Sequence, residues 1–233
     1  MQLNASSGNK TNRLRTLVLV LAFALLAPQI SFAASTAKTQ PSVKTLTGAI
    51  DTAEKMYYCG ELYLFADSMI KISYELASIS ANLKDSAQSG ASPKSGTELN
   101  ALINKYNAIS ETYNSWVDVK EDLSFFIDTI GSRGVFSKSQ LQIAFRRTLL
   151  VISDTEAALA DARDYSVNQT ALLRRALSVS ADKAIKSASG AVTIIKPYAK
   201  AALSGYRGFF DQFAEQSGIE IEYKTRGFPE NLG

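Results

Sequence analysis

LNALINKYNAISETYNSWVDVKEDLSFFIDTI, residues 99–130, decides the fold. Within it Leu99, Leu102, Tyr106, Ile109, Tyr113, Trp116, Lys120, Leu123, Ile127 and Ile130 follow one another at steps of three and four without a slip. Nine of these ten are apolar or aromatic. That spacing keeps one stripe of a helix against a partner helix. A strand cannot produce it, because strand side chains alternate with period two.

The same rhythm extends outward from this stretch. Leu62, Phe65, Met69, Ile72, Leu76, Ile79 and Leu83 mark a first helix expected from Ser42 to about Ala87. Gly60 inside it costs about 1 kcal/mol relative to alanine. The run SGASPKSG, 89–96, reads as a loop. Thr97 is the expected N-cap of the second helix, and the glycines of 131–134 end that helix. Ser137 is expected to cap a third helix, with Gln140 as its capping-box partner. The third seam is Leu141, Phe145, Thr148, Ile152, Thr155, Leu159 and Ala162, with fraying expected from Tyr165 to Asn168. A fourth, alanine-rich helix starts near Thr170, with Leu173, Leu177, Ala181, Ala184, Ala188, Val192 and Ile195 turned inward. Pro197 is expected to kink or break it, because proline donates no hydrogen bond and its ring clashes with the preceding turn. The helical pattern resumes to Gln216, and Gly218 stops it.

Short loops make neighbouring helices antiparallel. The expected fold is therefore all-α: an elongated antiparallel up-down-up-down four-helix bundle, 42–218, with a kinked C-terminal helix and an extended C-terminal tail, 219–233. Folding each hairpin symmetrically about its loop sets Met69 beside Trp116, Ile127 beside Leu141 and Leu123 beside Phe145. It also brings Asp122 near Arg146 and Asp161 near Arg174.

Residues 1–33 read as a secretory signal peptide. Lys10, Arg13 and Arg15 precede an apolar run from Leu17 to Ala27, and Ser31-Phe32-Ala33 supplies the small residues of a cleavage site. The run is too short for a spanning helix, which needs ~20 apolar residues. A short tail, 34–41, is expected to be disordered. The chain of 233 residues carries 25 Lys+Arg and 22 Asp+Glu. Removing the three basic residues of the leader, which holds no acid, leaves the remainder neutral. A neutral exported chain has no electrostatic case for nucleic acid or for an anionic membrane surface. The expected localisation is periplasmic or secreted, and the expected partner is an envelope or secreted protein.

There is no histidine. That excludes Ser-His-Asp and Cys-His nucleophile systems, histidine-ligated zinc and the histidine-bearing di-iron bundle site. No calcium loop, phosphate loop or dinucleotide fingerprint is present, and no cofactor or metal is expected. Ser68-Met69-Ile70-Lys71 and Ser180-Ala181-Asp182-Lys183 have Ser-x-x-Lys spacing but lack the companion elements that chemistry needs. Asn168-Gln169-Thr170 is a glycosylation sequon.

Candidate interaction residues gather at one end of the expected bundle. Tyr57, Tyr58, Tyr198, Tyr206, Phe209 and Phe210 lie there with Arg207, beside further aromatics including Phe125, Phe126 and Phe136. Such a cluster is either a hydrophobic cap or a docking surface. Cys59, the only cysteine, is either buried or open to an intermolecular disulfide. Lys120 breaks an apolar seam, so it either contacts an anion from within or snorkels outward. The expected function is that of a non-catalytic, exported protein-interaction or structural bundle. The alternative is a carrier or sensor with an apolar pocket at the aromatic end.

Overall fold

The structure, a computed structural model, describes residues 43–90, 95–130 and 136–218. Four helices and no strand occupy the described residues: α1 (Val43–Ser89), α2 (Ser95–Ile130), α3 (Lys138–Asn168) and α4 (Ala171–Ser217). The expected leader, the tail 34–41 and the tail 219–233 lie outside the described residues.

Local chemistry accounts for the helix ends. Ser137 is extended, its Oγ accepts from the Gln140 N–H, and its own N–H donates to Gln140 Oε1 at 2.6 Å. This is the expected capping box. Thr170 Oγ1 accepts from the Leu173 N–H at 3.2 Å and starts α4. Between the two helices Gln169 takes a left-handed conformation, φ 42°, and caps α3 by donating to Tyr165 O at 2.9 Å. The helix thus stays ordered to Asn168 where fraying was expected. Gly218, φ 68°, closes α4 in the left-handed conformation that glycine adopts without a Cβ clash. Thr97 is not an N-cap, because α2 begins at Ser95 and places Thr97 in its first turn.

α4 runs unbroken through Pro197. Pro197 and Thr193 are exposed, so the Thr193 carbonyl that loses its partner meets solvent, while Ile195 and Ala199 remain buried on the other side. Packing on both sides of the proline outweighs its local cost of about 3 kcal/mol.

α1 touches all three other helices, whereas α2 and α4 touch α1 and α3 but not each other. The core therefore sits around α1 and α3, with α2 and α4 on opposite sides. α1 and α4 share the most extensive contact. Every seventh residue of α1 from Ala66 to Ala87 is small (Ala66, Ser73, Ser80, Ala87), and all four are buried. The buried stripe of α4 is largely alanine, from Ala181 to Ala202. Small side chains at a contact let helix axes approach closely.

Contacts set the register. Thr52 near the start of α1 donates to Gln216 near the end of α4 at 2.9 Å, and Lys84 near the end of α1 meets Asp182 at 2.8 Å. Between α1 and α3, Phe65 meets Phe145, Ser80 Oγ lies 3.5 Å from Thr155 Oγ1, and Tyr165 reaches Gly90 O. In the first hairpin Trp116 packs edge-on to Phe65, 5.7 Å between ring centres, one turn from the Met69 expected beside it.

The second hairpin departs further. Tyr113 donates to Phe145 O at 3.2 Å, and Lys120 Nζ stands 5.9 Å from the Phe145 ring centre. Phe145 is thus level with the stretch between Tyr113 and Lys120, not with Leu123. α2 accordingly runs past the start of α3: Phe126 stacks on Tyr58, whereas Phe136 comes back to Phe65. The expected rows assumed a symmetric turn, and the fit of three phenylalanine rings overrides that symmetry.

The expected ion pairs Asp122–Arg146 and Asp161–Arg174 do not form. Lys84–Asp182, Lys183–Asp154 and Lys138–Asp128 form instead.

Candidate functional site

The aromatic end is built mainly inward. Phe65, fully buried on α1, is its hub: Trp116, Phe136 and Phe145 surround it at 5.7, 6.5 and 4.7 Å between ring centres. Phe136 passes the contact on to Tyr198 at 5.6 Å. Nearer the end, Tyr58 stacks on the buried Phe126 at 4.1 Å, and Tyr57 stands edge-on to Tyr58. On the α4 side Tyr206 lies nearly parallel to Phe210 and against Gly60. A Cβ at Gly60 would come within 3.2 Å of the Tyr206 ring. This close approach explains a glycine in the middle of a 47-residue helix.

The candidates separate by exposure. Tyr57, Tyr58, Tyr198, Tyr206, Arg207 and Phe209 are half-buried. Phe210 and Cys59 are buried. Burial pushes the Cys59 thiol up to about 11, which disfavours the reactive thiolate at neutral pH. Lys120 is exposed and lies over the Phe145 ring, which corrects the interior reading and fits the outward one. Burial raises the Tyr57 and Tyr58 phenols, with Glu61 adding at Tyr57, Glu54 at Tyr58 and Asp122 at both. Burial also raises Glu61. Tyr63 is raised by burial and by Asp67, while Lys71 and Arg207 act in the opposite sense. The exposed member of this end is Phe125, at 69%. Its position on α2 follows from the seam, yet its exposure depends on how far α2 overruns α3.

The Ser-x-x-Lys pairs do not form dyads. Ser180 donates to Leu177 O at 3.1 Å, and Lys183 binds Asp154 at 3.0 Å. Lys71 binds Asp67 at 2.6 Å. Asp154, missed by the sequence reading, is a buried carboxylate held by Lys183 and by the Ser187 hydroxyl at 2.5 Å. It clasps α3 to α4. An open groove of about 270 Å³ between α1 and α2 is lined by Ser68, Lys71, Ile72, Glu75, Lys105 and Ile109, among others. The groove mixes charged and apolar side chains and lies about one helical turn from the Phe65–Trp116 contact. Among the described residues no group of three or more acids or cysteines could hold a metal ion. No described helix is long and apolar enough to cross a membrane.

No protein-family model, curated protein or solved structure matches this chain.

Proposed function

We propose that this chain is an exported, non-catalytic helical bundle that serves as a protein-interaction or structural component of the cell envelope, meeting an envelope or secreted protein at its aromatic end. The observation that carries the reading is Phe125: an aromatic ring 69% exposed, next in sequence to the Phe126 that stacks on Tyr58. Exposed aromatics on a rigid, well-packed base are the usual anchors of protein interfaces. Tyr57 on α1 and Phe209 on α4, both half-buried, are the further candidates at this end. The contacts that join the start of α1 to the end of α4 and the end of α1 to the start of α4 support up-down-up-down topology. Export rests on the leader pattern of 1–33. The groove between α1 and α2 is open and is lined by Lys71, Glu75 and Lys105, so it lends no support to an apolar carrier.

The test is capture from the native envelope or secretome with the full chain and with Tyr57→Ala/Phe125→Ala/Phe209→Ala. A control carries Leu172→Ala, an exposed apolar residue near the start of α4. Loss of a specific partner from the triple variant alone, with helicity unchanged, supports the reading. Equal capture by all three proteins refutes it.

A further inference from the structure

One outer stripe of α1 is left uncovered among the described residues. Ile50, Glu54, Tyr57, Glu61 and Leu64 follow at steps of four, three, four and three, so they share one face of the helix. Ile50 is 70% exposed and Leu64 50%, and Tyr57 between them is half-buried. Neighbouring residues fix where this face points. Tyr58 and Phe65, each one place further on, turn to Phe126 and Trp116 of α2. Gly60 turns to Tyr206 of α4. The stripe lies between these two directions, and α2 and α4 do not touch each other across it.

Acids accompany the apolar side chains. Glu61 and Asp122 both act on the Tyr57 phenol, and Glu54 and Asp122 both act on Tyr58, so the three carboxylates gather round this pair of rings. None of the three forms an ion pair with a described residue. Apolar side chains interleaved with unpaired acids suit an occupant that is apolar and carries cations.

The chain holds such a segment next to this face. Gly218 ends α4 near the start of α1, where Gln216 meets Thr52 at 2.9 Å. The residues that follow, outside the described ones, read IEIEYKTRGF, 219–228. Ile219, Ile221 and Tyr223 alternate with Glu220 and Glu222, so in an extended chain the apolar three share a face and the acids turn away from it. Lys224 and Arg226 come next, with stems long enough to bring their charges round to the apolar side, and then Phe228. Their reach is sufficient. Glu61 lies ~14 Å along α1 from Thr52 on a helix ~10–12 Å across, so a path round α1 to the acids is ~25 Å or less. Arg226, eight residues past Gly218, reaches ~26–29 Å.

We propose that the segment 219–228 straps across the outer stripe of α1, its apolar side chains covering Ile50, Tyr57 and Leu64 while Lys224 and Arg226 stand beside the three acids. The tether at Gly218 holds the segment at an effective concentration on the order of millimolar, so a modest contact is enough to keep it there. A partner that takes Tyr57 competes with this strap, but the docking stands without any partner.

A carbodiimide, which joins an amine to a carboxylate in contact with it, tests the proposal on the purified full chain, prepared as an equal mixture of isotope-labelled and unlabelled protein. Cross-links from Lys224 to Glu54, Glu61 or Asp122, mapped by mass spectrometry and confined to a single chain, are expected. Ile50→Ser/Leu64→Ser leaves every reacting group in place and alters only exposed side chains, so it should lose most of these cross-links with helicity unchanged. Cross-links that join a labelled to an unlabelled chain overturn the proposal, because they put the segment on a second copy. So does Lys224 linked only to other acids or to none, or a yield that the variant leaves unchanged.

Discussion

Replacing Thr148 by valine should make this protein more stable. Thr148 is fully buried on α3, and its hydroxyl has no hydrogen-bond partner among the described residues. Its heptad relatives are better served: seven residues on, Thr155 lies 3.5 Å from Ser80 Oγ, which also donates to Leu76 O at 3.0 Å. One heptad earlier on α1, Ser73 donates to Met69 O and so is already satisfied. A buried hydroxyl without a partner costs about 1–3 kcal/mol. Valine matches threonine in shape, and the two differ little in helix propensity. The gain should be about 1–2 kcal/mol, or a rise of about 2–8 °C in Tm for a domain of this size. Urea denaturation followed by far-UV circular dichroism measures it, with Thr155→Val as the near-neutral control. A higher midpoint at unchanged slope is expected. A lower midpoint would refute the reasoning, because it would show that the Thr148 hydroxyl is already bonded.

Three further outcomes follow from the same packing. Phe65→Ala removes the hub of the aromatic cluster and should cost about 3–5 kcal/mol, read in denaturation and in a red-shifted Trp116 emission. A shift below ~1 kcal/mol would mean the rings are not close-packed around it. Cys59 should resist a thiol reagent at pH 8 in the folded protein and react fast in denaturant, since burial holds its thiol up to about 11; equal rates would contradict its burial. Asp182 is held down to about 2 by hydrogen bonds from Lys186 and Lys84. A depressed folded value means that its contribution is present above the ordinary value of 3.8 and is lost as pH falls through about 2. Between pH 4 and 2 the wild-type melting temperature should therefore fall more steeply than that of Asp182→Asn, and parallel curves would show that the pair contributes nothing to folding.

Much of the aromatic end was legible only as a list. Tyr57, Tyr58, Tyr206 and Phe209 fall together because chain length and turn position carry them to one end. Whether each faces in or out was not legible, for a helix seam says which stripe is apolar and not what covers it. Gly60 shows the gap well. By propensity it is a weak point, yet in the fold it is the seat of the Tyr206 ring. Asp154 escaped notice because its partners, Lys183 and Ser187, lie on another helix.

The sequence by itself determined four helices, the Ser137 capping box, the start of the fourth helix near Thr170, the Gly218 stop and the large apolar residues at the centre of the core. These depend on interactions within a few residues, where a period of 3.6 and a capping hydroxyl act locally. Only the tertiary structure decided how far the helices slide past one another. A seam repeating every seven residues matches itself after each shift of about 10 Å, so the pattern alone leaves the slide open. The rings of Phe65, Phe136 and Phe145 pack in one arrangement, and with that arrangement go the outward position of Lys120 and the ion pairs that form.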